Sequence, residues 1–179
     1  MQATFYYDLG NPECYLVAER ISAVLPVAAR WEPVYDRRLG AAALDRASIE
    51  RLARERGLQP IRWPARWPPD SELAMRAATY AKGIGRAAAF SLAAFRQAFA
   101  AGRDLSEEDT VVIAAAACEM HPAAVLKGVT LHAVRRSLAG ATAGALAAGV
   151  KTLPAVRVGE LLFEGETALE RAAAALPVS

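Results

Sequence analysis

Apolar and polar positions change their period several times along the chain. Phe5-Tyr6-Tyr7 is a short aromatic run and predicts a strand. Asp8-Leu9-Gly10 turns the chain, and Asn11 precedes Pro12. Leu16, Ala18, Ile21, Val24 and Leu25 then recur at helical spacing, which predicts an amphipathic helix from Glu13 to Leu25, stopped by Pro26. Val27 to Tyr35, with Trp31 and Val34 as bulky members, predicts a second strand parallel to the first. Together these make a βαβ unit that ends near Gly40.

The middle of the chain has a helical period. A charged helix is expected from Asp45 to Arg56, with Gly57 just past its end. Pro60, Pro64, Pro68 and Pro69 keep the next stretch out of a helix. Asp70 or Ser71 starts a helix with Leu73, Ala74, Ala77, Ala78 and Ala81 on one face, and another runs from Arg86 to Ala101. Ser106-Glu107-Glu108-Asp109 has the pattern of a capping box and predicts a helix from Glu107 to Met120. His121-Pro122 opens a short helix. The last helix of this part runs from Leu131 to Ala148, with Gly149 as its stop.

Strand character then returns. Leu153 to Val158 alternates, Gly159-Glu160 turns, and Leu161-Leu162-Phe163 comes back as a hairpin partner. Glu166 to Leu176 closes the chain as a helix. The order βαβ, helical insert, ββα is that of an α/β thioredoxin fold carrying an all-helical domain in its middle. The expected division is residues 1–44 with 149–179, and 45–148 for the insert.

Composition narrows the function classes. The chain has 179 residues, 54% hydrophobic and 22% charged, enough apolar material for a sizeable core. Alanine is roughly a quarter of the residues, consistent with the helical middle. The net charge is +2, from 21 basic against 19 acidic residues without a basic run, so no nucleic-acid footprint is present. Charges or glycines interrupt every apolar run before the ~20 residues of a membrane span, so no membrane partner is expected. Met1-Gln2 leads straight into the first strand without an export signal, so a cytoplasmic location is expected. The two cysteines, Cys14 and Cys118, form no disulfide framework and no metal spacing, and no metal is expected.

The stretch Tyr6-Tyr7-Asp8-Leu9-Gly10-Asn11-Pro12-Glu13-Cys14-Tyr15-Leu16 resembles the opening of DsbA-type proteins. It is closer to their cytosolic branch, the kappa-class glutathione transferases and 2-hydroxychromene-2-carboxylate isomerases. Arg62-Trp63-Pro64 through Pro68-Pro69 to Ala77 resembles the isomerases' approach to their first long insert helix. Gly149-Val150-Lys151-Thr152-Leu153-Pro154 resembles their cis-proline signature, and Phe163-Glu164-Gly165 through Leu169 their closing turn and helix. The resemblance covers nearly the whole chain in order. It implies a small-molecule substrate, a homodimer, and glutathione or another low-molecular-weight thiol as cofactor.

The sequence departs from that pattern at its chemistry. The first cysteine or serine position of the family reads Asn11, and the second cysteine position is Cys14. Asn11 can cap the helix, or donate its carboxamide N–H to a sulfur. Cys14 is either a low-pKa thiol at a helix start or a small buried apolar side chain. Without a cysteine at position 11 no local dithiol can cycle between two states. The resemblance implies that Leu153 presents its backbone to a ligand beside Pro154, and that Glu166 and Thr167 stand where a γ-glutamyl group is met. Arg62, Trp63, Arg66 and Trp67 either hold an anionic aromatic substrate by charge and stacking or simply cover the junction with the insert. His121 and His132 have no acid or nucleophile nearby in a recognised motif. Three functions remain open. They are a thiol-dependent transferase or isomerase, an oxidoreductase using Cys14 alone, and a catalytically silent ligand-binding protein.

Overall fold

A computed structural model describes residues 2–39 and 42–176. The expected end of the first part near Gly40, and the terminal stretch 177–179, lie outside them. Strands β1 (Ala3–Tyr7), β2 (Ala29–Pro33), β3 (Ala155–Val158) and β4 (Leu161–Glu164) form one mixed sheet in the order β2-β1-β3-β4. β1 runs parallel to β2 and antiparallel to β3, so Phe5 lies between Trp31 and Val156. This is the expected thioredoxin-type α/β fold, with the strand pairs separated by helices α3 (Arg46–Glu55), α4 (Glu72–Gly83), α5 (Ala87–Phe99), α6 (Glu108–Ala117), α7 (Pro122–Gly128) and α8 (His132–Ala147).

Aromatic packing ties the two parts of the sequence together. Phe5 and Tyr7 stack at 5.2 Å, Trp31 meets both edge-on, and Phe95 of α5 lies 5.9 Å from Tyr7. The buried Tyr7 hydroxyl shares a 2.6 Å hydrogen bond with Ser91 of the same helix. Such rings supply large buried area and directional contact at once. α9 (Ala168–Ala174) covers β3 and β4.

Two expected elements differ. The helix of residues 13–25 is broken into α1 (Pro12–Ala18) and α2 (Ile21–Val24). Every residue of α1 is buried, so it is a core element rather than an amphipathic one. At the break Glu19 turns to Arg96 of α5, at 2.7 and 2.8 Å, and Arg20 to Glu170 of α9 at 2.6 Å. The two charges leave for different neighbours, and the Arg20 amide shortens its bond to Val17 O. The capping box does not form either. Asp104 Oδ1 accepts from both the amide and the hydroxyl of Ser106, and Glu107 precedes α6 without a side-chain cap. That helix stops at Ala117 instead of Met120. Glu119 takes φ 59°, and the amides of Glu119 and Met120 return to Ala116 and Ala115 in a Schellman closure.

Candidate active site

Three segments meet at the carboxyl end of β1: the loop 8–11 into α1, the stretch after β2, and the proline-rich approach to α4. The approach is pinned by hydrogen bonds. Ser71 Oγ donates to Asp8 Oδ1 at 2.6 Å, the Gly10 amide donates to the same oxygen at 2.8 Å, and the Leu9 amide points at Met75 Sδ at 3.1 Å. Glycine at position 10 suits this closeness. A Cβ there would stand 3.1 Å from Ser71 Cβ and 3.2 Å from its Oγ.

Two clefts open here and share Gly10 and Pro68 as a common wall. The first, about 470 Å³, is lined by Asp8, Tyr35, Arg37, Arg66, Asp70 and Ser71 among others. The second, about 290 Å³, is lined by Pro12, Leu44, Asp45, Arg46, Trp63 and Trp67 among others. In the second, Trp63 and Trp67 pack edge-on at 4.9 Å, and the Arg46 guanidinium lies 5.0 and 5.2 Å from their ring centres. Trp63 Nε1 donates to Glu50 Oε1 at 2.6 Å, which fixes that indole.

Behind the clefts, Asn11 is fully buried. Its Oδ1 accepts from the Glu13 amide at 2.8 Å and the Cys14 amide at 3.4 Å, capping α1. Its Nδ2 donates across 3.3 Å to Leu153 O, the carbonyl of the cis peptide bond to Pro154. The sequence matches the DSBA-like thioredoxin domain over residues 2–177. The chain belongs to that family.

Solved structures agree on the DSBA-like fold. A 2-hydroxychromene-2-carboxylate isomerase superposes with TM-score 0.85 at 19% identity, covering 98% of this chain and 94% of that one. A probable DsbA oxidoreductase from Streptomyces coelicolor gives 0.79 at 18% identity, covering 98% and 88%. The cytosolic disulfide reductase DsbM from Pseudomonas aeruginosa, determined with GSH, gives 0.70 at 18%, covering 96% and 94%. No curated protein matches the sequence.

The DSBA-like frame brings some expected residues together and not others. Asn11, Cys14, Leu153 and Pro154 are neighbours, and the backbone around Leu153 is partly engaged. Leu153 is buried, its carbonyl takes the Asn11 amide hydrogen, and the Lys151 and Thr152 amides are both held by Glu164 Oε1. Cys14 is fully buried, and burial pushes its thiol well above the ordinary value, so it is no ready thiolate. A hydrogen bond from the Asp8 backbone pulls the other way, and the charges of Asp8 and Glu13 add smaller pushes upward. Cys118 is also a free, buried thiol. Glu166 is paired with Arg56 rather than left for an ammonium group. Thr167 is exposed and caps α9 with no side-chain bond. Trp63 and Trp67 line the second cleft and Arg66 the first. Arg62 lines neither: its side chain is exposed, and its amide is tied to Phe99 O at 2.8 Å.

Sequence reading passed over Asp8, Tyr35, Arg37 and Arg46. In the sequence pattern Asp8 is a turn residue. A carboxylate directly after an aromatic strand and three residues before a helix start was the available signal. It is 5% exposed, and desolvation raises its pKa from 3.8 to about 6, against the opposing pull of Ser71 and the Gly10 amide. Burial also raises Tyr35, with carboxylates including Asp8 adding to the shift.

Proposed function

We propose that the protein is a thiol-dependent isomerase or transferase, the type represented among its structural neighbours by the 2-hydroxychromene-2-carboxylate isomerase. In this reading a small thiol, glutathione or a relative, sits in the cleft beside Pro12. The second substrate lies against Asp8, Tyr35, Arg37 and Arg66. The observation that carries the reading is the pair of adjoining clefts at the start of α1, one walled by two indoles under an arginine. The GSH in the DsbM structure supports a thiol as one ligand.

The cysteine chemistry points the same way. Position 11 holds no sulfur, and the Cys14 thiol is buried and held protonated, so a disulfide exchange through Cys14 lacks its attacking thiolate. The reading includes a cytoplasmic homodimer and the division of the chain into residues 1–44 with 149–179 and 45–148. No helix among the described residues is long and apolar enough to cross a membrane. Calorimetry with a panel of low-molecular-weight thiols tests the function. Saturable binding that weakens on Trp67→Ala supports it, and no heat from any thiol overturns it.

A further inference from the structure

The two faces of the sheet carry different chemistry. Side chains alternate along a strand, and residues directly opposite on neighbouring strands share a face. Phe5, Tyr7 and Trp31 form the aromatic cluster against Phe95 of α5. Tyr6 opposite Glu32, and Thr4 opposite Arg30 and Arg157, point to the other face. There α4 and α8 pack against β2, and a cleft of about 360 Å³ opens between α8 and the strands. It shares no lining residue with the two clefts at the start of α1.

Glu32 is 3% exposed and lines this cleft. Its Oε1 is paired with Lys82. Its enclosed Oε2 receives no hydrogen bond among the described residues. Arg30 Nη2 stands 2.9 Å from Oε2, in range for charge pairing but not aligned to donate, and the Arg30 side chain is 55% exposed. A buried carboxylate oxygen without a donor is costly. Arg157 adds a third cation, tied at 3.2 Å to the exposed Glu160. Such a surface pair holds weakly. Arg30, Lys82 and Arg157 against Glu32 leave the cleft two positive charges in excess. The α8 wall is bare. Gly140 and Gly144 line it, and a Cβ at either would meet nothing within 4 Å.

We propose that this cleft binds a phosphate monoester of a polyhydroxy compound, a sugar or polyol phosphate. Two unmet demands call for that chemistry. The excess positive charge matches a phosphate monoester, which carries close to two negative charges above its second pKa of about 6. Glu32 Oε2 needs a donor, and a neutral one, because an ammonium group would come up against Lys82 and Arg30. A hydroxyl of the ligand takes the place of Arg30 over Oε2. The released guanidinium turns to the phosphate beside Arg157, where its planar fork suits the phosphate oxygens. The glycines of α8 leave room for the carbon skeleton.

Calorimetry at about pH 8, where a phosphate monoester is fully charged, tests this with three probes. Glycerol 3-phosphate has the phosphate and the hydroxyls, methyl phosphate only the phosphate, and glycerate the hydroxyls with a single negative charge. The wild type should bind glycerol 3-phosphate about tenfold more tightly than either of the others. Glu32→Gln removes the strong acceptor together with a charge that repels phosphate. The preference over methyl phosphate should then disappear, while methyl phosphate itself binds no more weakly. Arg157→Met should weaken both phosphate esters about tenfold and leave glycerol 3-phosphate preferred. Gly144→Leu has open space and a better helix former, so it should fill the cleft and abolish binding with the thermal midpoint kept. No heat from glycerol 3-phosphate, or binding unchanged in Arg157→Met or in folded Gly144→Leu, overturns the site. Equal affinity for methyl phosphate, or a preference that survives Glu32→Gln, overturns hydroxyl recognition by Glu32. Glycerate bound as tightly as glycerol 3-phosphate overturns the phosphate assignment.

Discussion

At the scale of single residues, Asp8 ties stability to pH with a sign opposite to that of a salt-bridged carboxylate. Its pKa is 3.8 in the unfolded chain and about 6 in the folded one. The folded state therefore binds the proton more tightly. Stability is fully present below the unfolded value and falls as pH rises from there through about 6. The shift corresponds to a loss on the order of 3 kcal/mol across that window. Asp8→Asn keeps an oxygen for Gly10 and Ser71 but has no charge to desolvate. Denaturant unfolding at about pH 4 and about pH 7 should show the variant gaining on the wild type at the higher pH. A constant gap would show that Asp8 does not titrate in this window. Cys14 makes a second prediction at this scale. Its thiol is inaccessible and protonated, so native protein near neutral pH should resist alkylation that goes to completion after unfolding. Mass spectrometry counts the adducts, and rapid labelling of Cys14 in the folded state would restore the oxidoreductase reading. Asn11 is more than a cap. Asn11→Ala leaves the Glu13 and Cys14 amides and the Leu153 carbonyl short of partners in a buried setting. Its cost should exceed the ~1 kcal/mol of an exposed cap and reach about 2–4 kcal/mol in chemical denaturation.

At the scale of elements, helix boundaries followed local chemistry where Gly and Asp act by themselves. Asp45 caps α3 through the Ser48 amide, Gly57 follows that helix at φ 67°, and Gly149 follows α8 at φ 91°. They went astray where a competing partner took the same side chain. Ser106 was taken by Asp104, two residues before it, and Glu19 and Arg20 by α5 and α9. No pattern within α1 contains the partners of Glu19 and Arg20. Helix contact makes its own prediction at Gly128, in the last turn of α7. A Cβ there would run into the Tyr80 ring of α4, so the two helices pack only because the residue is glycine. Gly128→Ala should destabilise by about 1–3 kcal/mol through overpacking. Gly140 on α8 has open space at the same position, and Gly140→Ala should be neutral or slightly stabilising. Thermal unfolding of the pair separates the effect of packing from that of helix propensity.

At the scale of the whole molecule, Ile84, Leu131, Leu146 and Leu161 remain exposed. The homodimer proposed above would cover part of such surface. Light scattering at micromolar concentration should give about twice the 19.0 kDa of the chain, and a monomer mass would remove that part of the reading. The periodicities and turn residues by themselves determined the strands, most of the helices and their order, because a period of two or of 3.6 and a Gly or Pro stop are written within a few consecutive residues. That order, with the motifs around Asn11 and Pro154, was enough for the DSBA-like fold. The tertiary structure alone decided what the site residues do. Asn11 and Leu153 are 142 positions apart, and only folding joins that carboxamide to that carbonyl. Asp8 and Ser71 are 63 apart, and only their contact makes a turn aspartate into a buried acid. Burial, and with it the proton affinity of Asp8 and Cys14, depends on how much water the neighbouring elements exclude. That quantity comes into being only when distant segments pack.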